Sequence, residues 1–578
     1  KLHGHSVSFN LLGFYTFQCF SLTGSSERQC QKLIFHHTFR KNGFNETDFF
    51  KKQTDRIIKI TLGVDLTDRT VNDDSKHIIS KVGGARTSDD LNNFFFQIQG
   101  EFDSSEGIGI PKLLWGNKID DLIAVSQEGI FSPLDKLFKV VYVDPTIDLA
   151  MTFSKNRKRF FDQNKLDDND IGLSEEIKEL GIELNTKISS MNLIQSFQST
   201  ITNEYRKLKK ENISIEMKSE LSINGYFTNL VPYIRKDEDD NMYPTSGDGR
   251  KKILAYSLLN YLTQLQEEGK IIIYLIEEPE NNLHRSMQIA LSKQLFESKV
   301  YNYFFLSTHS SELLYEMDEA SLIRIYSKDS ISCESFIYRV DSEFKSLRKE
   351  LNRSLSTALF AEKVLLVEGP SEKALFEKIL EMIHPIYELD GGYILEVNGI
   401  KFEPYVKVLR GLNISVFIKT DNDLKAKKNH PTTFDIIGMQ RCLNLLDSQE
   451  RLEPVEIDYY HKRNGKKIFT NKTKLNKIKE KKLELYILYS DKIREMVKNN
   501  IYLSKLDLEN DLHEALGNRL GELLDEKDPV KYLQEHKLLN MLELTTKLTE
   551  EDCRKIINHS LFRALRKLVP NEVSGSGR

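Results

Sequence analysis

Apolar positions along the chain follow two different periods, and the switches between them divide it into regions. The runs RIIKITLGVDL (56–66) and LDKLFKVVYVDP (134–145) carry the β-branched, partly alternating pattern of strands, so the first region is expected to be sheet-rich. Between about 150 and 235 the pattern turns charged and helix-periodic (SEEIKELGIELNTKISSMNLIQSFQSTITNEYRKLKK), which predicts a helical arm: an exposed hairpin or a dimerisation element. Further on, KIIIYLIEEPE (270–280) and YNYFFLSTHSSELL (301–314) are short apolar runs ending in polar turns and leading into helical patterns, as βαβ units of a buried parallel sheet do. A second set begins with KVLLVEGPSEKALFEKILEMI (363–383) and continues with ISVFIKTDNDLKAKK (414–428), which places a domain boundary near 345–360. The lysine-rich stretch at about 458–500 predicts helix interrupting that second sheet.

The expected architecture is therefore α/β. Residues 1–150 form the first part of one sheet domain, 151–235 its helical insert, 236–350 its second part, and 351–578 a second, Rossmann-like domain with helical additions. A length of 578 residues exceeds what one core serves, and 39% hydrophobic with 29% charged residues is ordinary globular composition. A net charge of -4 gives no global attraction to polyanions, so nucleic-acid contacts must come from local basic patches such as Lys466 to Lys482. The five cysteines show no CxxC spacing, which argues against a disulfide framework or a zinc knuckle and fits a reducing cytoplasm. No apolar run approaches the roughly 20 residues that span a bilayer, so no membrane segment is expected.

Two groups of residues carry chemistry. In the first, an apolar strand ends in Glu277 and Glu278, where one acid can hold Mg²⁺ through water and the next can activate a water beside a γ-phosphate. A later strand ends at Ser307-Thr308-His309, placing a histidine where it could reach that phosphate. Upstream, Ser246, Gly247, Gly249 and Arg250 stand just before a predicted helix, whose N–H groups can hold a phosphate. In the second group, Glu368 ends one strand with Glu372 a helical turn later, and Asp421 and Asp423 end another, so four carboxylates converge at the C-terminal edge of one sheet. Such acids repel by roughly 4 kcal/mol per close pair at an effective dielectric of 20, and hard oxygen ligands of this kind suit Mg²⁺ or Mn²⁺.

The segments SGDGR, LIEEPENNLH and STHSS resemble the signature, Walker B with D-loop, and switch histidine of ABC-type ATPases, a likeness that implies ATP as regulator and a dimer. A Walker A loop, GxxxxGK[ST], has no match in the first hundred residues, so tight ATP binding is doubtful for the chain as written. Residues 1–38 are accordingly expected to be an atypical, replaced or out-of-frame opening. VEGPSEK followed by TDND is similar to the TOPRIM fold, and TOPRIM behind an ABC ATPase resembles the OLD family of nucleases. That resemblance implies further metal ligands at Asp507 and Glu509 and a lysine, Lys537, that stabilises charge developing on phosphate; alone, Lys537 would read as a surface residue. RKNGFNETD, PTSGDGR, FFLSTHSSELLYEMD, LFAEKVLLVEGPSEK and DLENDL together resemble the Gabija A family of antiphage nucleases from about Phe39 onward. Membership implies a nucleotide-regulated endonuclease cutting double-stranded DNA, assembled as a dimer through the arm and further as a tetramer, and working with the helicase-like Gabija protein B. The rivals are a non-catalytic, nucleotide-gated scaffold and a TOPRIM topoisomerase, whose catalytic tyrosine is not identifiable among the 23 present.

Overall fold

A computed structural model describes residues 7–11, 15–20, 43–49, 52–125, 134, 137–145, 149, 152–153, 167–208, 214, 216, 233–235, 242–244, 247–264, 270–297, 301–327, 331–398, 401–446, 448–463, 466–469 and 471–570. The chain divides into two compact units, one of Lys1–Ser132, Ile289–Glu297 and His309–Arg578, the other of Pro133–Gln288 and Ser298–Thr308.

The first unit opens with an antiparallel sheet of six strands paired in chain order: β1 (Val7–Leu11), β2 (Tyr15–Phe20), β3 (Ile58–Asp65), β4 (Asn93–Asp103), β5 (Ile108–Gly116) and β6 (Ile123–Ala124). The alternation that predicts β3 buries Ile58, Ile60, Leu62 and Val64. The opening residues, expected to be an atypical segment, contribute β1 and β2, and β2 pairs with β3 from Tyr15↔Val64 to Phe20↔Lys59.

In the second unit, β7 (Phe138–Val143) is followed by the helical arm, α1 (Asp168–Ser189) and α2 (Asn192–Leu208), as the charged periodic pattern predicts. After a short hairpin of β8 (Tyr233–Arg235) and β9 (Met242–Pro244) come α3 (Asp248–Gln264), β10 (Ile271–Glu277) and β11 (Phe304–Ser307). The order β11-β10-β7 is parallel throughout. Buried strands of this kind show continuous apolar runs, which is what IIIYLI provides.

The remainder of the first unit begins with a hairpin, β12 (Ala320–Ser327) and β13 (Ile331–Tyr338), that the sequence reading did not anticipate. It continues through α4 (Arg348–Ala358), β14 (Lys363–Val367), α5 (Pro370–Ile383), β15 (Gly392–Glu396), α6 (Phe402–Gly411) and β16 (Ser415–Thr420). A small antiparallel appendage, β17 (Leu424–Lys427), β18 (His430–Ile436) and β19 (Val455–Glu456), has α7 (Ile437–Asn444) inserted between its last two strands. The lysine-rich segment is not helical throughout: Tyr460–Arg463 (β20) and Lys466–Phe469 (β21) pair as a hairpin before α8 (Asn471–Leu488) and α9 (Ser490–Lys498). The Asn-Gly dipeptide at 464–465 is the hairpin signal that the lysine count obscured. After β22 (Ile501–Leu503) the chain ends in helices α10 (Leu508–Leu516), α11 (Asn518–Leu524), α12 (Pro529–Glu535), α13 (Lys537–Lys547), α14 (Glu550–Asn558) and α15 (Arg563–Arg566).

Strands β15-β14-β16-β22 form a parallel sheet covered on both faces. Val364 and Leu366 of β14 join one core with Ile418, Tyr405, Leu355 and Met439, whereas Leu365 and Val367 join the other with Phe376, Leu512, Met541 and Phe562. The period of two thus sends successive residues into opposite layers, and the second layer is built largely by the C-terminal helices. No helix among the described residues is long and apolar enough to cross a membrane.

Candidate active site

At the C-terminal end of β14 the chain turns sharply into a helix because Gly369 occupies its N-cap and Pro370 its first turn, where a missing N–H costs nothing. Glu372 reaches back to accept the Gly369 N–H at 2.8 Å. It is therefore both a helix-capping residue and, 7% exposed, a buried member of the acid group. Glu368 stands before the turn. One of its oxygens, Oε1, accepts the Asp421 N–H at 3.0 Å and also takes donors from the Thr420 hydroxyl and the Arg441 guanidinium.

Strand β16 ends beside it in Thr420-Asp421-Asn422-Asp423. Ser504, just past β22, donates its hydroxyl to Asp421 Oδ1 at 3.2 Å, and its N–H to Thr420 O at 2.9 Å. Asn422, fully buried between the two acids, donates from its own amide N–H to Leu506 O at 3.2 Å and from Nδ2 to Lys505 O at 3.1 Å and Lys482 O at 3.2 Å. The intervening residue thus ties the acid turn to the segment carrying the next acids and to α8. From α8, Lys482 places its ammonium 3.6 Å from Asp423 Oδ1.

Asp507 caps α10, accepting the Asn510 N–H at 2.9 Å and Gln534 Nε2 at 2.8 Å. Glu509, 1% exposed, has Lys537 Nζ 3.8 Å from Oε1, while its Oε2 is buried without a hydrogen-bond partner. The predicted acids and Lys537 therefore belong to one neighbourhood. They adjoin without closing into a cage, since no group of three or more His, Cys, Asp or Glu among the described residues is arranged to hold a metal ion as it stands. Sequence reasoning missed Arg441, Ser504 and the part played by Asn422, and it had Lys482 only as one lysine of the basic stretch.

Charge crowding appears in the proton affinities. Burial, and then the charge of Glu368, raises the Glu372 carboxyl to about 7, against hydrogen bonding at Gly369 and the attraction of Lys537. Burial drives Asp421 well above the carboxylate range, helped by Glu372, Glu368, Asp423 and Asp507. Burial also raises Glu509, with Lys537 opposing and Asp507 assisting. For Lys537, burial pulls downward, but Glu509, Asp421, Glu372 and Asp507 outweigh it and the ammonium is held more firmly. An acid whose folded pKa is raised contributes stability that is complete below its unfolded value and is lost as pH rises through the folded value. For Glu372 that window runs from 4.5 to about 7. Metal-free protein is expected to melt at a lower temperature at about pH 8 than at about pH 6, with Glu372→Gln flattening the difference. Scanning calorimetry at the two pH values checks this; a melting temperature that rises across the window contradicts it.

In the second unit the Tyr142 hydroxyl donates to Glu277, and Glu278 follows with a φ of +40°, its N–H bonded to Ser307 O at 3.0 Å. Helix α3 begins at Asp248, so Gly249 and Arg250 lie within its first turn and not ahead of it. A Cβ on Gly249 would stand 2.8 Å from Asn282 O, so the glycine lets the helix touch the turn after β10. Gly247 precedes α3 at a φ of +86°, Ser246 lies outside the described residues, and His309, exposed just beyond β11, falls in the first unit. Lys252, buried on α3, donates to Pro145 O at 3.0 Å and Asn281 O at 2.9 Å, and burial lowers its pKa to about 8 against Glu280, Asp144 and Glu278.

Residues 359–423 match the Overcoming lysogenization defect protein-like TOPRIM domain, and residues 36–314 match the AAA ATPase domain. Endonuclease GajA of Bacillus cereus (strain VD045) is 46% identical over 541 residues, 94% of this chain and 92% of that protein. Endonuclease GajA of Bacillus cereus (strain HuB5-5) is 20% identical over 273 residues, 39% of each. Among solved structures, the C-terminal region of the Burkholderia pseudomallei OLD protein is 18% identical with a TM-score of 0.23, over 36% of this chain and 100% of that one. The Smc head bound to the C-winged helix domain of ScpA is 13% identical with a TM-score of 0.29, over 55% and 88%.

Proposed function

The chain belongs to the GajA endonuclease family, an AAA ATPase domain followed by a TOPRIM domain, and from that premise we propose that it is a divalent-metal-dependent nuclease that cuts double-stranded DNA in antiphage defence. The observation carrying this reading is the crowding of Glu368, Glu372, Asp421, Asp423, Asp507 and Glu509 at one sheet edge, with Glu509 Oε2 buried and unpartnered. A carboxylate oxygen removed from water with nothing to bind fits a cation site better than a structural role.

Those six acids are the groups that would hold Mg²⁺ or Mn²⁺, bound ions that polarise a phosphodiester and lower the pKa of an attacking water. The chain's own residues supply the rest. Gln534 and Asn510 orient Asp507, and the Asp421 N–H fixes Glu368. Lys537, protonated throughout the neutral range, is available to a non-bridging phosphate oxygen on which charge accumulates. Lys482 gives a second cation for the strand being cut.

Regulation by ATP rests on Glu277 and Glu278 after β10 and on Gly247, Gly249 and Arg250 at α3, all in the second unit. Self-association rests on the arm, where Ile177, Leu180, Ile182, Leu184, Leu193 and Phe197 are exposed. A dimer through this face, its pairing into a tetramer, cooperation with Gabija protein B and a cytoplasmic location complete the reading.

The test is relaxation of supercoiled plasmid by purified protein. Nicking with Mg²⁺ or Mn²⁺ that chelator abolishes is the expected result. Intact plasmid under every metal and nucleotide condition would put the non-catalytic scaffold in its place.

A further inference from the structure

We infer that Arg441 is a positioning residue for the cation site, clamping Glu368 and Asp423 at the ends of neighbouring strands; the inference rests on the proposed metal dependence. Arg441 lies in the last turn of α7, far from any acid motif in sequence, and the way that helix docks gives the arginine its reach. Gly438 donates its N–H to Asp423 O at 3.0 Å. A Cβ on Gly438 would lie 2.3 Å from Asp421 O, 2.5 Å from Asp423 N and 2.9 Å from Asn422 Cα. All three are backbone atoms, so only glycine lets α7 rest directly on the acid turn.

Three residues on from Gly438, on the same helical face, the Arg441 guanidinium spans two carboxylates. One nitrogen donates to Glu368 Oε1 and to the Thr420 hydroxyl oxygen, and the other lies 3.9 Å from Asp423 Oδ2. The Phe402 ring, 5.9 Å away, flanks the guanidinium. Every donor that Glu368 receives converges on Oε1: the Thr420 hydroxyl, the Asp421 N–H and Arg441. Oε2 takes none of them, so the carboxylate is held at one oxygen and presented at the other.

A positive charge beside a cation site can act in two opposite ways. As a placeholder that neutralises the acids until metal arrives, it would compete with metal, and its removal would tighten binding. As a clamp on an oxygen the metal does not need, it fixes the separation of carboxylates that otherwise repel, and its removal would loosen binding. Convergence on Oε1 favours the clamp. Positive charge alone is also supplied by Lys482 and Lys537, whereas a planar fork reaching both strand ends is supplied by Arg441.

The experiment is calorimetric titration of Mn²⁺ into the full-length metal-free protein without DNA, for the parent, Arg441→Gln and Arg441→Lys. Arg441→Gln is expected to weaken Mn²⁺ binding by about 10–100-fold, the usual effect of losing a partner that orients a ligand. Arg441→Lys should fall between, keeping the charge without the fork. Plasmid nicking lost by Arg441→Gln should return as Mn²⁺ is raised, with the half-saturating concentration shifted by the same factor. Unchanged or tighter Mn²⁺ binding by Arg441→Gln overturns the inference. Should that variant melt before titration is possible, parental affinity in Arg441→Lys overturns it equally. Failure of the parent to bind Mn²⁺ is a different result, removing the metal site and the clamp together.

Discussion

Glu368→Ala is expected to lower plasmid nicking by about 10³-fold or more while the chain melts close to the parent. The two halves of this expectation have different causes. Glu368 lies where the acid turn after β16, the capped start of α5 and the arginine of α7 meet, and its charge acts on both Glu372 and Asp421. Its side chain is 26% exposed and fills no core position, so truncation leaves no cavity in either layer of the sheet. Truncation also relieves strain: the charge of Glu368 is part of what raises Glu372 and Asp421. The Asp421 N–H and Arg441 lose an acceptor, and the two effects oppose one another. Loss of cleavage with an intact melting transition separates chemistry from stability. A variant that still nicks at the parental rate removes Glu368 from the reaction.

The acids of this site were legible because a parallel sheet places its chemistry at the C-terminal ends of strands, where an apolar run and its functional residue adjoin in sequence. KVLLV-Glu368 and SVFIKT-Asp421 each present strand and acid within a few residues, and the family and the ATPase–TOPRIM fold class followed from such segments. The residues that hold the acids were not legible, since their partners arrive from elsewhere in the chain. Arg441 comes after an antiparallel hairpin, Ser504 from the far side of two helices, and Gln534 from a third helix beyond Asp507. Gly438 carries no signal in the sequence, and only the backbone lying against it gives it meaning. Charge misled in one place: the lysines from 462 to 467 suggested a helix face, whereas the segment folds as a hairpin. In the second unit, Glu277 carries a hydrogen bond from Tyr142 that the strand pattern alone could not foresee.

Lys419 was unreadable for the same reason, and it leads to the largest expected effect on stability. It lies within β16, 3% exposed, with its ammonium 2.6 Å from Asp511 Oδ2, itself 1% exposed on α10. Its remaining contacts are the Leu561 carbonyl at 3.3 Å and the Phe562 ring at 5.9 Å. The pair joins the strand that ends at Asp421 to the helix that carries Glu509, so it ties together two of the acid-bearing elements. Asp511→Ala leaves an ammonium in an apolar layer with one carbonyl and a ring face, and is expected to destabilise this unit by about 3–5 kcal/mol. The attraction between the two charges largely repays their removal from water, so Lys419→Met with Asp511→Leu should recover most of that loss, short of about 1 kcal/mol for the orphaned Leu561 carbonyl. Scanning calorimetry of the full chain, following the transition that this unit contributes, measures both. Parental melting of Asp511→Ala would show that the pair does not hold β16 to α10. A double variant as unstable as the single would place the cost in lost packing around Phe562 instead of in an unpaired charge.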